Sequence, residues 1–133
     1  MENIEETRNF FSNDKFATEV TGITIDEVHD GFSRCSLEIT EKHLGAHGQI
    51  MGGVIFTLAD FAFAAATNSK EHFTATVESK INFISASRGK KLFAECRRRK
   101  DGRTLCFYET VIFDDLEKTV ATVSATGIHI ERA

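Results

Sequence analysis

Apolar and polar residues alternate with a period of two along most of this chain, and one segment breaks the rhythm. From Val54 to Ala66 apolar residues follow one another with only Thr57 and Asp60 between them. This run predicts a helix from about Gly53 to Thr67. It is apolar nearly all round, so it is expected to be buried nearly all round. Its many alanines let other segments approach closely, and Asn68 is a suitable C-terminal stop.

The alternating stretches predict strands. Ile23 and Ile25 alternate with polar neighbours as a first strand, and Phe32 to Thr40 makes a second after Asp30-Gly31. An Asp-Gly pair suits a hairpin because it tolerates positive φ. A long connection from Glu41 to Gly53 contains Gly45, Gly48 and Gly52. Beyond the helix, strands are expected over Phe73–Ile84, Lys90–Lys100, Arg103–Asp114 and Thr119–Ile130, with Asp101-Gly102 as a second two-residue hairpin signal. Leu105, Phe107, Val111 and Phe113 share one face of their strand, with Cys106, Tyr108, Thr110 and Ile112 on the other. Both faces are apolar or small, so parts of the sheet must be covered on both sides. Residues from Ile4 to about Phe16 read as one or two short helices with Phe10, Phe11 and Phe16 as apolar contacts. One buried helix and a long antiparallel sheet make an α+β fold, the sheet curled round the helix and a second copy covering what remains.

The 133 residues form one domain, 1–133, of which 1–17 is an N-terminal helical extension. Twelve Phe against one Tyr and no Trp mark an aromatic interior. The three cysteines, Cys35, Cys96 and Cys106, lack CxxC spacing and read as reduced core thiols, not as a metal site. The start, Met1-Glu2-Asn3-Ile4, has no basic and apolar leader pattern, and the longest apolar run is too short to span a bilayer. A soluble, cytoplasmic protein follows, with no membrane partner and no cofactor.

The net charge of −4 conceals an asymmetry, because eight of the sixteen basic residues lie between Arg88 and Arg103. The densest part, Arg97-Arg98-Arg99-Lys100, carries no interleaved stacking aromatics, which argues against nucleic acid. A local basic patch on an acidic chain suits a small polyanion or a solvated hairpin tip. His29, His43, His72 and His129 have no partner spacing and read as surface or loop residues. There is no Gly-x-Ser-x-Gly, His-Glu-x-x-His or Gly-x-x-x-x-Gly-Lys, so serine-elbow, zinc-hydrolase and P-loop chemistry have no motif here.

Asp60 is the most informative residue. An ionised carboxylate inside an apolar helix costs several kcal/mol unless it is paired or partly wet. Either it caps or pairs with a structural partner, or it faces a cleft where burial keeps it reactive. Gly52-Gly53, eight and seven residues before it, would expose backbone N–H groups at the helix N-terminus, where the macrodipole adds positive charge. Such groups stabilise an oxyanion. At 1.5 Å per residue the two ends of this pairing are ~10 Å apart, so a shared carbonyl points to two helices in a dimer.

The stretch Gly48-x-x-x-Gly52-Gly53-Val54-Ile55-Phe56-Thr57-Leu58-Ala59-Asp60, with Ile81-Asn82-Phe83, Gly89-x-x-Leu92, Gly102-Arg103 and Val120-Ala121, resembles the PaaI-type (phenylacetate-pathway) hotdog thioesterases. The resemblance covers roughly residues 39–130. It implies a hotdog fold, a homodimer or a homotetramer built as a dimer of dimers, and hydrolysis of acyl-CoA. In its terms Asp60 is the general base or nucleophile and the partner's Gly53 N–H polarises the carbonyl. Thr76 falls where relatives carry a Ser or Thr that holds the attacking water. Gly52, Met51, Gln49 and Phe61 would border the substrate, and Arg97, Arg98 and Arg99 the coenzyme A phosphates. Three positions depart: Met51 stands for the usual His, Gly45 for the usual Asn, and Ala86 for a common Pro. Gln49 or His47 could supply the missing polar contacts from the same loop. Five residues after Asp60 stands Ala65, where hotdog hydratases carry His. The Met51 and Gly45 departures keep a non-catalytic acyl-CoA binding or sensing domain as the alternative to a thioesterase.

Overall fold

The computed structural model describes residues 3–130; Met1 and Glu2, where the leader pattern was sought, and residues 131–133 lie outside the described residues. A short helix α1 (Ile4–Phe11) and a π-helical turn (Phe16–Val20) precede β1 (Thr24–His29) and β2 (Phe32–Glu38). A 3-10 turn (Glu41–His43) leads to the long helix α2 (Gly52–Thr67), and β3 (Phe73–Phe83), β4 (Lys91–Asp101), β5 (Leu105–Asp114) and β6 (Thr119–Ile130) complete the chain. All strands pair antiparallel in one sheet of order β1-β2-β4-β5-β6-β3. Because β3 sits at the far edge from β2, α2 crosses the sheet between them. The curved sheet wraps it: this is the α+β hotdog arrangement.

The period-two pattern does what it predicts. On β5, Cys106, Tyr108, Thr110 and Ile112 are buried under α2, while Leu105, Phe107 and Val111 face outward and are exposed. On β4 the inward set is Leu92, Ala94 and Cys96. The alanines of α2 allow the close approach expected of them. Ser33 on β2 donates its hydroxyl to the carbonyl of Ala62 at 2.6 Å. Gly127 on β6 is needed for the same reason, since a Cβ there would meet Thr74, Phe63 and Cys106 at 3.0 Å or less.

Three expectations need correction. Helix α2 is not buried nearly all round, because the sheet covers only one side of it. Phe16 is 60% exposed, and Ala17 is the buried residue of that turn. The two hairpin signals also separate. Asp30-Gly31 is the complete link between β1 and β2, with Gly31 at φ 74°. Asp101-Gly102 belongs to a longer link, residues 102–104, in which Gly102 donates to the Leu105 carbonyl without positive φ.

At the opposite end of the sheet, buried Asp114 organises the loops. Its carboxylate accepts from the backbone N–H groups of Arg88, Gly89, Leu116 and Lys118 at 3.0–3.2 Å, and from the Ser87 hydroxyl. Burial works to raise its carboxyl pKa, but these donors prevail and hold it below the ordinary value. A group of this kind stabilises the fold above its unfolded pKa, and the contribution is lost as pH falls through the folded one. Asp114→Ala is expected to cost about 3 kcal/mol by denaturant melt at neutral pH, as several buried donors lose their acceptor. The difference from the native chain should shrink as pH is lowered below the carboxylate range.

Candidate active site

Helix α2 keeps its buried side, Ile55, Leu58, Ala59 and Ala62, against the sheet. The opposite side carries an open stripe at three- and four-residue spacing: Gly53, Thr57, Asp60 and Ala64. Asp60 is exposed on this stripe, and among the described residues it makes no hydrogen bond or ion pair. The structural explanation of Asp60, a cap or a buried partner, therefore has no counterpart here. Protein atoms still crowd its carboxyl. Desolvation raises its pKa above the ordinary value, and the negative charge of Asp14 raises it further.

Asp14 lies in the link between α1 and the π-helical turn. With Phe10, Asn13, Ala64, Phe73 and Thr76 it lines a cleft of about 520 Å3. Ala64 is one turn beyond Asp60 on the same stripe, about 6 Å along the axis. The cleft thus opens beside the carboxylate, with a largely apolar wall and a few polar groups, the usual composition of a small-molecule site. Thr76 reaches it from the point on β3 where a bulge between Thr76 and Glu78 shifts the pairing with β6.

The start of α2 forms a second locus. Gly52 and Gly53 open the helix, and Met51 at the N-cap makes no side-chain cap. N–H groups of a first turn have no intrahelical acceptor. The two glycines differ in what they answer to. A Cβ on Gly52 would press on the Phe83 ring at 3.2 Å, whereas on Gly53 it would meet only the flexible end of Met51 at 3.6 Å. Packing within the chain explains the first glycine and leaves the second to whatever approaches from outside. Gln49 lines a cleft of about 370 Å3 with Gly52, Ile55 and Phe83.

The structure thus places Thr76 in a cleft whose wall includes Ala64, one turn beyond Asp60, and gathers Gln49, Met51, Gly52 and Gly53 at the start of α2. It does not bring the remaining predicted residues to either. Phe61 is 2% exposed and packs edge-on against Phe11 at 5.5 Å. Arg97 pairs with Glu95 and lies over the Phe32 ring, Arg98 pairs with Asp30, and Arg99 pairs with Glu109. These pairs lie at the β1–β2 end of β4. A further cleft, about 750 Å3 between Val28, Asp30 and His72, is bordered by none of the predicted residues.

Asn13 and Asp14 were missed by sequence reasoning. The only signal was two adjacent polar residues interrupting a Phe-rich helical stretch. His43 was missed too: it is buried, not a surface residue.

Residues 47–121 match the thioesterase superfamily. Over 112 residues the chain is 32% identical to the acyl-coenzyme A thioesterase PaaI of Escherichia coli, covering 84% of this chain and 79% of that protein. The solved structure of the E. coli PaaI protein from the phenylacetic acid degradation operon superposes with a TM-score of 0.87 at 28% identity, over 95% of this chain and 91% of that one. A thioesterase family protein from Silicibacter pomeroyi gives 0.85 at 25% identity, over 96% and 98%.

Replacing Asp14 by Asn removes one of the two causes that raise the Asp60 carboxyl. A carbon-detected NMR titration should then show Asp60 ionising at lower pH in Asp14→Asn than in the native chain. An unmoved Asp60 titration would show that the two carboxylates do not share a site.

Proposed function

This chain belongs to the thioesterase superfamily, and from that premise we propose that it hydrolyses the thioester of a small, medium-chain or aromatic acyl-CoA to the free acid and coenzyme A. The observation that carries this reading is Asp60: a carboxylate with no structural partner, desolvated by its surroundings, beside an apolar cleft. Its raised pKa brings it nearer to neutral pH, where a general base is most effective.

Two chemical courses fit the same carboxylate. As a base, Asp60 takes a proton from water as the water oxygen attacks the thioester carbon. The carbonyl electrons move to oxygen, where a helix N-terminal N–H stabilises the charge. Collapse breaks the carbon–sulfur bond, and the proton on Asp60 passes to the departing thiolate. As a nucleophile, a carboxylate oxygen attacks the carbon directly, the thiolate leaves, and water then cleaves the mixed anhydride. Thr76, on the wall of the cleft, would hold the water in either course.

The N–H donor is assigned to Gly53 of a second copy, because ~7 residues of helix, about 10 Å, separate Gly53 from Asp60 within one chain. The fold supports such pairing. Strand β3 is an edge of eleven residues without proline, and Val77 and Phe83 on it are 59% and 56% exposed. A long unpaired edge of this kind is a template for another strand. The homodimer, or a homotetramer made from two of them, completes the site. The relative named PaaI is an acyl-coenzyme A thioesterase, which supports coenzyme A as the leaving thiol.

A non-catalytic acyl-CoA binding domain is the second reading, favoured by one observation. The exposed Met51 offers no polar group at the helix start, where relatives of the resembled type carry a histidine. A thiol-release assay with an acyl-CoA panel separates the two, since a binder would release no thiol.

Asp60→Asn keeps the shape and removes the base, so kcat should fall ~10²-fold or more. The sign of the stability change follows from the raised pKa. A carboxyl whose folded pKa exceeds its unfolded value lowers stability as pH rises through that interval, and the amide has no such term. The variant should therefore be at least as stable as the native chain at neutral pH. Near-native turnover in a folded Asp60→Asn protein would remove Asp60 from the chemistry.

A further inference from the structure

His43 ties the connection between β2 and α2 back to the turn that precedes β1. It is 7% exposed, and both ring nitrogens are engaged. The backbone N–H of Thr40 donates to Nδ1 at 3.0 Å, and Nε2 faces the carbonyl of Thr21 at 2.8 Å. These partners dictate the protonation state without reference to any titration. A backbone N–H can only donate, so Nδ1 must carry a lone pair. A backbone carbonyl can only accept, so Nε2 must carry the proton. The ring is neutral, in a single tautomer.

The main chain of the same residue holds the helix start. The His43 carbonyl accepts from Met51 N–H at 2.9 Å, and the loop between them closes on itself through Gly45 N–H to Gln49 carbonyl at 2.7 Å. Met51 is the N-cap of α2, and its carbonyl accepts the first helical bond, from Val54 at 3.0 Å. A continuous path therefore runs from Thr21, through the His43 ring and backbone, to the glycines that open α2.

We infer that His43 is a positioning residue that fixes the N-terminus of α2 while its ring is neutral and releases it when the ring takes a second proton. This rests on the reading above that Gly53 N–H polarises the thioester carbonyl. A proton on Nδ1 sets N–H against the Thr40 N–H. The ring must then turn or withdraw, and the turn loses its tie to Thr40. Histidine is the side chain whose ordinary titration falls in the physiological range. The charged groups around it are three carboxylates and two ammonium groups. Glu19 of the π-helical turn, Glu38 of β2 and Lys91 of β4 line the cleft it borders with its own neighbour Lys42, and Glu41 precedes it in the turn. No carboxylate accepts from either ring nitrogen, so none is placed to hold an imidazolium where the ring now sits.

The test is amide hydrogen exchange of the whole protein at about pH 7.5 and 5.5, corrected for the intrinsic rate, with kcat and KM for an acyl-CoA across the same range. In the native chain, residues 41–55 should lose protection at least tenfold in acid while β4 and β5 keep theirs. The kcat should fall in a one-proton step with KM little changed. His43→Gln, whose amide can still donate towards Thr21 but does not titrate, should show the same protection at both pH values and lack that step. Protonation of Asp60 is a separate step that both proteins retain. Protection of residues 41–55 that ignores pH in the native chain would overturn the inference, as would a His43→Gln protein whose kcat falls with as many proton steps as the native chain's. Should that variant fail to fold, an NMR titration of the His43 ring in the native chain decides, since loosening of the loop while the ring stays neutral also overturns it. If no acyl-CoA is turned over at any pH, the proposed function fails, and the exchange data alone still decide for or against the latch.

Discussion

A helix as apolar as α2 survives in water only if most of its surface is removed from it, and a single curved sheet can cover just one side. The rest of the molecule follows from that constraint. The sheet bends round the helix, the alanines and Gly127 let the two layers close to contact, and α1 with its following turn covers part of what the sheet cannot reach. What stays uncovered is a narrow stripe, and it holds Gly53 and Asp60. Replacing Asp60 by an alanine would have matched its neighbours. A carboxylate kept there without a partner is a local conflict with the folding pattern, and such conflicts concentrate where function requires them.

The buried polar groups Asp114 and His43 are both provided with partners, which sets Asp60 apart. Asp114 is equally awkward in composition, yet five donors meet it and its carboxyl is held ionised. Gly89 belongs to the same knot, because a Cβ there would run into the Asp115 carboxylate. His43 satisfies both of its nitrogens from the backbone. Together these ties hold the loops at two corners of the sheet and the entry to α2. Against that background the carboxylate of Asp60 and the N–H groups of Gly52 and Gly53 stand out among the described residues as polar groups without a partner in the chain.

Local structure was legible in the sequence to a large degree, because it depends on neighbours in the chain. The period-two stretches became β2 through β6 within a few residues, and Asp30-Gly31 made the tight turn its composition suggests. Asp60 and the glycine pair stood out for the same reason, as local departures from an apolar pattern. Contacts across strands were not legible, because they depend on register. Arg97, Arg98 and Arg99 read as a free basic patch, but Glu95, Asp30 and Glu109 come from three different strands or turns to neutralise them. Nothing along the chain announces that Asn13 and Asp14 meet the cleft beside Asp60, or that His43 reaches back to Thr21. The open stripe of α2 was hidden too, since composition cannot tell which side of a helix the sheet will take.

The central claim is that one catalytic centre is assembled from Asp60 of one copy and the start of α2 of another. Mixing two inactive variants tests it most directly. Gly53→Pro deletes the N–H at a first-turn position that tolerates proline, and Asp60→Asn removes the carboxylate while leaving the helix intact. Each alone should be nearly inactive on acyl-CoA. After the two are unfolded together and refolded in equal amounts, random pairing makes half of the dimers mixed. Each mixed dimer has one of its two sites intact, so about a quarter of native activity should return. If the mixture stays as inactive as its components, while light scattering shows that mixed dimers have formed, the site is not shared in this way and the account is wrong.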